Sequence, residues 1–250
     1  MLLGVPFTLV ERWRPLRRQL PAFRRTGGGT DAVSFVVNEV LTGVGLLAVL
    51  VVTLPLVRYV IPTSIPRLLA AQPMWARSSE AFVVSEVCGY WGHRLSHEVP
   101  LLWRFHRVHH SATELDWLAP NRRHPIDGIV ARTSTALPTL ALGFAVPTVA
   151  TYFALKRLQG LFVHSNIDLR LGPLQRLVAT PMFHHWHHSD EPGTWNKDYA
   201  GSVPAVDWIF GTLHLPGEWP PRYGCDGHVP DVGYVARTLS PWRRRARTAR

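Results

Sequence analysis

The chain has 250 residues, 46% of them hydrophobic and only 18% charged, and a formal net charge of +10. One domain with a buried core is the default at that length. Its two cysteines, Cys88 and Cys225, form neither a CxxC pair nor a framework, which excludes a disulfide scaffold and a thiolate metal site.

Taken in chain order, residues 1–32 form a basic leader, with Arg12, Arg14, Arg17, Arg18, Arg24 and Arg25 after an apolar start. Arginines that follow the apolar run are in the wrong order for a secretory signal. The composition suits a short amphipathic helix lying on a membrane. Residues 40–57 carry no charge between Glu39 and Arg58, the lower limit for a membrane span. Residues 61–73 hold Pro62, Pro66 and Pro73 and read as a turn or interfacial loop. Ser78 or Ser79 can cap a helix running through Phe82, Val83, Val87 and Tyr90.

That helix leads into the densest chemistry of the chain, the stretch GHRLSHEVPLLWRFHRVHHS. It holds His93 and His97, then His106, His109 and His110; His184, His187 and His188 repeat the HxxHH spacing later. On a helix, residues three and four apart share a face, so these are two-pronged and three-pronged imidazole chelates. At this histidine content only about 0.03 HxxHH patterns are expected by chance in the whole chain, so two are not accidental. Neutral imidazole suits iron, zinc and copper. Eight imidazoles exceed what one ion can hold, and the count points to two metal ions. Pro100 separates the first two groups and predicts the end of one helix and the start of another.

Residues 111–125 read as a polar loop. Residues 126–163 are mostly apolar, uncharged from Thr133 to Leu155, and interrupted by Pro138, Gly143 and Pro147. A single span would leave the second and third histidine groups on opposite sides of a bilayer, so a hairpin turning near 143–147 is required, each leg about 18 residues. Lys156 and Arg157 in the second leg snorkel or line a cavity. After the third histidine group the chain is soluble in character, with Trp208, Ile209 and Phe210 expected to pack. Arg243, Arg244, Arg245, Arg247 and Arg250 close a basic tail. Basic ends around an apolar middle favour an anionic membrane surface over nucleic acid and place the metal-bearing face in the cytoplasm.

Other metal and nucleophile motifs fail. His97-Glu98 begins HExxH, but position 101 is Leu; no acid has His three residues later; nucleophile elbows and CxxCH are absent. The motifs instead resemble the fatty acid hydroxylase / sterol desaturase superfamily of membrane di-iron enzymes. The likeness runs from about Ala81 to Tyr223 and includes HRLSH, HRVHHS, RRHPID, LFVHSNIDL, PMFHHWHHSD, WNKDYAG and DWIFGT.

The resemblance implies metal roles for His93, His97, His106, His109, His110, His164, His184, His187 and His188, with His124 or Asp168 as a further ligand. It leaves His185, Asn166, Asp168, Asp190 and Asp207 as residues that fix the ligands or face the substrate. It implies two non-haem Fe ions, O2 as co-substrate, and hydroxylation or desaturation of an apolar lipid, sterol or carotenoid-like substrate entering from the membrane. No haem, flavin or iron–sulfur motif is visible, so two electrons come from an external ferredoxin- or cytochrome-type donor, for which the basic face offers a dock. The expected fold is an all-α integral membrane helical bundle, multi-pass, with a cytoplasmic-side histidine-rich di-metal cap. The division is 1–32 leader, 33–225 membrane-embedded hydroxylase-like domain and 226–250 basic tail. The alternative is a non-catalytic membrane protein that binds or carries metal.

Overall fold

In a computed structural model, which describes residues 4–18 and 25–242, the chain is all-helical; the described residues contain isolated β-bridges but no strand. Arg24 and the arginines of the C-terminal tail lie outside the described residues. The helices are α1 (Gly4–Trp13), α2 (Gly28–Val60), α3 (Ser64–Ala71), α4 (Met74–Glu98), α5 (Pro100–His110), α6 (Pro125–Ala141), α7 (Val146–His164), α8 (Pro181–His187), α9 (Ala205–Ile209) and α10 (Tyr234–Leu239).

The charge-free stretch 40–57 belongs to a helix of 33 residues, the one helix among those described that is long and apolar enough to cross a membrane. Its polarity is inverted. The residues it buries are Gly28, Asp31, Ser34, Asn38 and Thr42, whereas Leu47, Val51 and Leu56 are about two-thirds exposed. A helix in water hides its apolar stripe; this one turns it outward, as an apolar surrounding requires. Neither α6 nor α7 is both long and apolar enough to cross a membrane.

Between 61 and 73 the chain is not a loop but forms α3, which ends at Ala71 because Gln72 precedes Pro73 and is extended. That proline serves as the N-cap of α4, so the helix starts at Met74, a turn before the serines expected to cap it. Ser79 instead donates its hydroxyl to the carbonyl of Trp75 inside the helix. At the other end α4 stops at Val99, and Pro100 occupies the first turn of α5, where its missing N–H costs nothing.

Helix α6 lies against both α2 and α4, and small residues set the spacing. A Cβ on Gly92 would sit 2.2 Å from Ser134 Oγ, and one on Gly128 would sit 2.6 Å from Thr42 Oγ1. The chain reverses between α6 and α7 at Gly143, whose φ of +96° favours glycine. This reversal returns α7 to the end of the molecule that carries α5.

The terminal segments are tied into that end. Glu11 accepts hydrogen bonds from the backbone N–H groups of Trp117 and Asn166. Asp31, at the start of α2, pairs with Arg25 and with Arg237 of α10, and Arg25 also meets Asp116 at 2.8 Å. A compact apolar cluster of Tyr90, Val163, Phe183, Tyr199 and Val206 supports α8 from below. Phe210 packs against it, but Trp208 and Ile209 do not: they are 72% and 68% exposed, because α9 is a short helix on the surface.

Candidate metal centre

Each histidine of the site is delivered by a helix end. His93 and His97 lie on one face of the last turns of α4; His106, His109 and His110 form the C-terminal turn of α5. His164 is the final residue of α7. His184 and His187 lie in α8, whose N-cap Thr180 accepts at its hydroxyl from the N–H of Phe183; His188 is its C-cap.

These nine residues converge into two groups. His93, His97, His106, His110 and His187 form one; His109, His164, His184 and His188 form the other. Within each group, one ring nitrogen per residue lies within 4.8 Å of all the others.

The second ring nitrogen decides what faces inward. His93 Nδ1 is 2.7 Å from the carbonyl of Tyr199, His164 Nδ1 2.8 Å from that of Gly160, and His187 Nδ1 2.8 Å from that of Lys197. His109 Nδ1 is 3.2 Å from the Arg122 carbonyl, and His106 Nδ1 is 2.8 Å from Asp127 Oδ1. A carbonyl or carboxylate only accepts, so Nδ1 carries the proton and Nε2 presents its lone pair. The Nε2 atoms approach each other closely: His93 to His106 at 3.2 Å, His109 to His164 at 3.1 Å, His164 to His184 at 3.0 Å. The Nε2 atoms of His97, His110 and His187 and both ring nitrogens of His188 are buried without a partner.

Burial also favours the neutral form of five of the rings. It pushes His187 down to about 3 and His109, His110, His184 and His188 well below the ordinary imidazole value, with neighbouring imidazoles adding to the effect in those four. Buried lone pairs at such distances repel unless a cation lies among them. Imidazoles that share an ion at about 2.1 Å have nitrogens roughly 3 Å apart, so the donor set fits a pair of transition-metal ions.

The other residues singled out from the sequence lie elsewhere. His124 is not in either group: its Nδ1 accepts from the N–H of Ile126 as the N-cap of α6, and its Nε2 meets the carbonyl of Thr238 at 3.1 Å. Asp168 is also remote, accepting from Trp219 Nε1 beside Arg170. Asp190 pairs with Arg222 near the surface. Asn166 uses its side chain on the backbone of Arg17 and thereby anchors the N-terminal segment. His185 points away from the ligand face, to the Tyr223 hydroxyl at 2.7 Å, and burial pushes it down to about 3.

Asp207 acts at one remove. It accepts from the N–H groups of Tyr199 and Ala200 and from Thr212 Oγ1, and so fixes the loop whose Tyr199 carbonyl holds His93.

Asp127 was not visible as a candidate. It lies in the first turn of α6 and bridges His106 to Arg123 Nε, both at 2.8 Å. The available signal was an acid three residues after His124 in a helix's first turn, indistinguishable in sequence from an ordinary dipole-favoured acid.

A cavity of about 260 Å³ opens beside the histidines, walled by α2, α4, α6 and α7 and bordered by His93, His106, His109, His164 and His184. Lys156 and Arg157 line it. Lys156 reaches Glu86 at 3.1 Å and Ser202 at 2.9 Å; Glu86 also accepts from the Tyr152 hydroxyl and the Ser202 N–H.

Helices whose ends bring nine imidazoles into two adjoining clusters, next to an inverted apolar helix, define a membrane-associated protein with a candidate two-metal centre. The profile of the fatty acid hydroxylase family matches residues 79–212, more than half of the sequence, and the chain belongs to that family. It is 34% identical over 180 residues to ornithine lipid hydroxylase OlsE of Rhizobium tropici, covering 70% of this chain and 53% of that protein. It is 31% identical over 138 residues to human alkylglycerol monooxygenase, covering 55% and 31%. Against a putative Δ7-sterol-C5(6)-desaturase 2 of Arabidopsis thaliana it is 29% identical over 139 residues, covering 54% and 47%. The chain thus spans about half the length or less of these curated relatives. No solved structure matches it significantly.

Proposed function

We propose that the chain is a membrane-bound di-iron oxygenase that hydroxylates or desaturates a C–H bond of a lipid, using O2 and two electrons from an external ferredoxin- or cytochrome-type donor. The observation that carries the reading is the convergence of nine imidazoles, seven of them buried and two partly buried, into two groups with a ring nitrogen of each turned inward. His93, His97, His106, His110 and His187 would hold one iron; His109, His164, His184 and His188 would hold the other. Iron is favoured over zinc because the relatives are named for oxidations, and zinc has no redox chemistry.

When bound, the iron pair supplies the reduction of dioxygen and the oxidation of the C–H bond. The chain's own residues do the rest. Asp127 and the carbonyls of Tyr199, Arg122, Gly160 and Lys197 fix the ligand tautomers. The cavity presents the substrate to the histidines, and burial excludes bulk water from them. Helix α2 faces lipid, with α4, α6 and α7 beside it as further membrane-embedded elements. Arg12, Arg14 and Arg18, exposed in the N-terminal segment, support reading the histidine end as the cytoplasmic one, and would give an acidic electron donor a surface to meet.

The test is metal analysis with a lipid comparison. Purified protein should hold two irons per chain. Cells expressing it should contain a lipid that differs by one oxygen or two hydrogens from that in cells expressing His187→Ala. Loosely exchanging metal with no electron consumption would instead make it a metal carrier.

A further inference from the structure

We propose that the cavity beside the histidines recognises the anionic end of an amphiphile, a carboxylate or phosphate, and that the substrate is therefore a lipid with a charged head rather than a sterol or carotenoid. This rests on the oxygenase reading and narrows its substrate class.

Charge lines the cavity. Four cations, Arg123, Arg132, Arg157 and Lys156, face it against three carboxylates, Glu39, Glu86 and Asp127. Two of those carboxylates are committed: Asp127 holds His106 and Arg123, and Glu86 holds Lys156 and Tyr152. That leaves Glu39 for both remaining guanidiniums. It meets Arg132 at 2.5 Å and Arg157 only at 3.8 Å. Arg157 otherwise meets only uncharged groups, donating to Asn121 Oδ1 at 2.6 Å and lying over the Phe35 ring at 4.7 Å.

A guanidinium presents a planar fork that matches carboxylate or phosphate oxygens, and its full desolvation without an anion is unfavourable. A carotenoid hydrocarbon or a sterol with its single hydroxyl would cover these groups without pairing them. An anionic head would supply the second carboxylate-like partner that Arg132 and Arg157 share too few of.

The far wall suits the rest of such a molecule. Phe153, which lines the cavity, packs with Leu46, Leu50 and Leu54 on the apolar cluster of Ala136, Leu140 and Val149. The polar end is thus held at the level of Arg132 and Arg157, toward the histidines, and the chain continues along α2, the lipid-facing helix.

The experiment measures binding by calorimetry on metal-loaded full-length protein in an uncharged maltoside detergent. The probes are dodecyl phosphate, dodecanoate, dodecanol and inorganic phosphate. One of the two anionic amphiphiles should bind at one site, at least tenfold more tightly than dodecanol or inorganic phosphate. Arg132→Gln and Arg157→Gln should each weaken it by about tenfold. Glu39→Gln, which removes the competing carboxylate, should tighten it, a gain that misfolding cannot produce.

Dodecanol binding as tightly as both anionic amphiphiles would overturn the proposal. So would inorganic phosphate binding as tightly as dodecyl phosphate, or Glu39→Gln leaving the affinity unchanged. Binding needs no turnover. Protein that selects anionic amphiphiles but oxidises no lipid would count against the oxygenase reading alone; lipid oxidation without charge selectivity would count against this inference alone.

Discussion

Replacing Asp127 by asparagine keeps the shape of a fully buried side chain and removes its charge. In the native arrangement one carboxylate oxygen accepts the Nδ1 proton of His106 and the other faces Arg123 Nε, each at 2.8 Å. An amide cannot serve both donors. With its oxygen toward His106, its NH2 opposes Arg123, donor against donor. Turned round, it satisfies Arg123 but offers an N–H to His106 Nδ1, which moves the imidazole proton to Nε2 and abolishes that ligand atom.

Losing such a partner typically lowers metal affinity by 10- to 100-fold, about 1.4–2.7 kcal/mol. The assay is a chelator competition on detergent-purified protein, with the helical circular dichroism signal recorded to show that the fold survives. Asp190→Asn is the control, because Asp190 pairs only with Arg222 near the surface and should leave the affinity unchanged. If Asp127→Asn binds iron as tightly as the native chain while remaining folded, tautomer control by Asp127 is refuted.

Three further outcomes follow from the geometry. His124→Ala should keep the full metal content yet destabilise the chain by about 1 kcal/mol, because it removes the N-cap of α6; metal analysis beside denaturant unfolding separates the two, and lost metal would return His124 to the ligand set. Gly92→Ala should cost about 1–3 kcal/mol, since its Cβ would lie 2.2 Å from Ser134 Oγ and 2.5 Å from Ser134 Cβ; thermal unfolding should show Ser134→Gly recovering much of the loss in the double variant.

Metal-stripped protein should lose stability as pH falls from about 6.5 toward 3. Burial holds His185 and His187 at about 3 when folded. The unfolded chain therefore takes up their protons first, and the stabilisation present above the unfolded value disappears on acidification. Unfolding midpoints at neutral and mildly acidic pH check this, and an unchanged midpoint contradicts it.

The helical hydroxylase family was legible in the sequence because its marks are local. Two HxxHH spacings, HRLSH and the Pro100 break depend only on helical periodicity and on a proline's missing N–H. The stretch 40–57 was legible as a hydrophobic run, but its extension to Gly28–Val60 was not, since the polar residues that lengthen it are buried against protein and look like a loop edge in one dimension. Helix α3 was hidden by prolines placed where a first turn tolerates them. Trp208 and Ile209 were expected to pack because they are apolar, and only their position on a short surface helix shows that they do not.

By itself the sequence determined the donor inventory: which imidazoles exist, how they pair along each helix, and that their number exceeds one ion's capacity. Only the tertiary structure decided how they are shared, five in one group and four in the other, with His164 brought in from the end of α7 and His124 spent on a helix cap. It alone shows that Asp127 braces His106 and that Arg132 and Arg157 both approach Glu39. The reason is physical. Ligand spacing within one helix is fixed by its pitch, whereas partners from different helices meet only after packing has set their separation, and a side chain's role depends on which acceptor its second nitrogen finds.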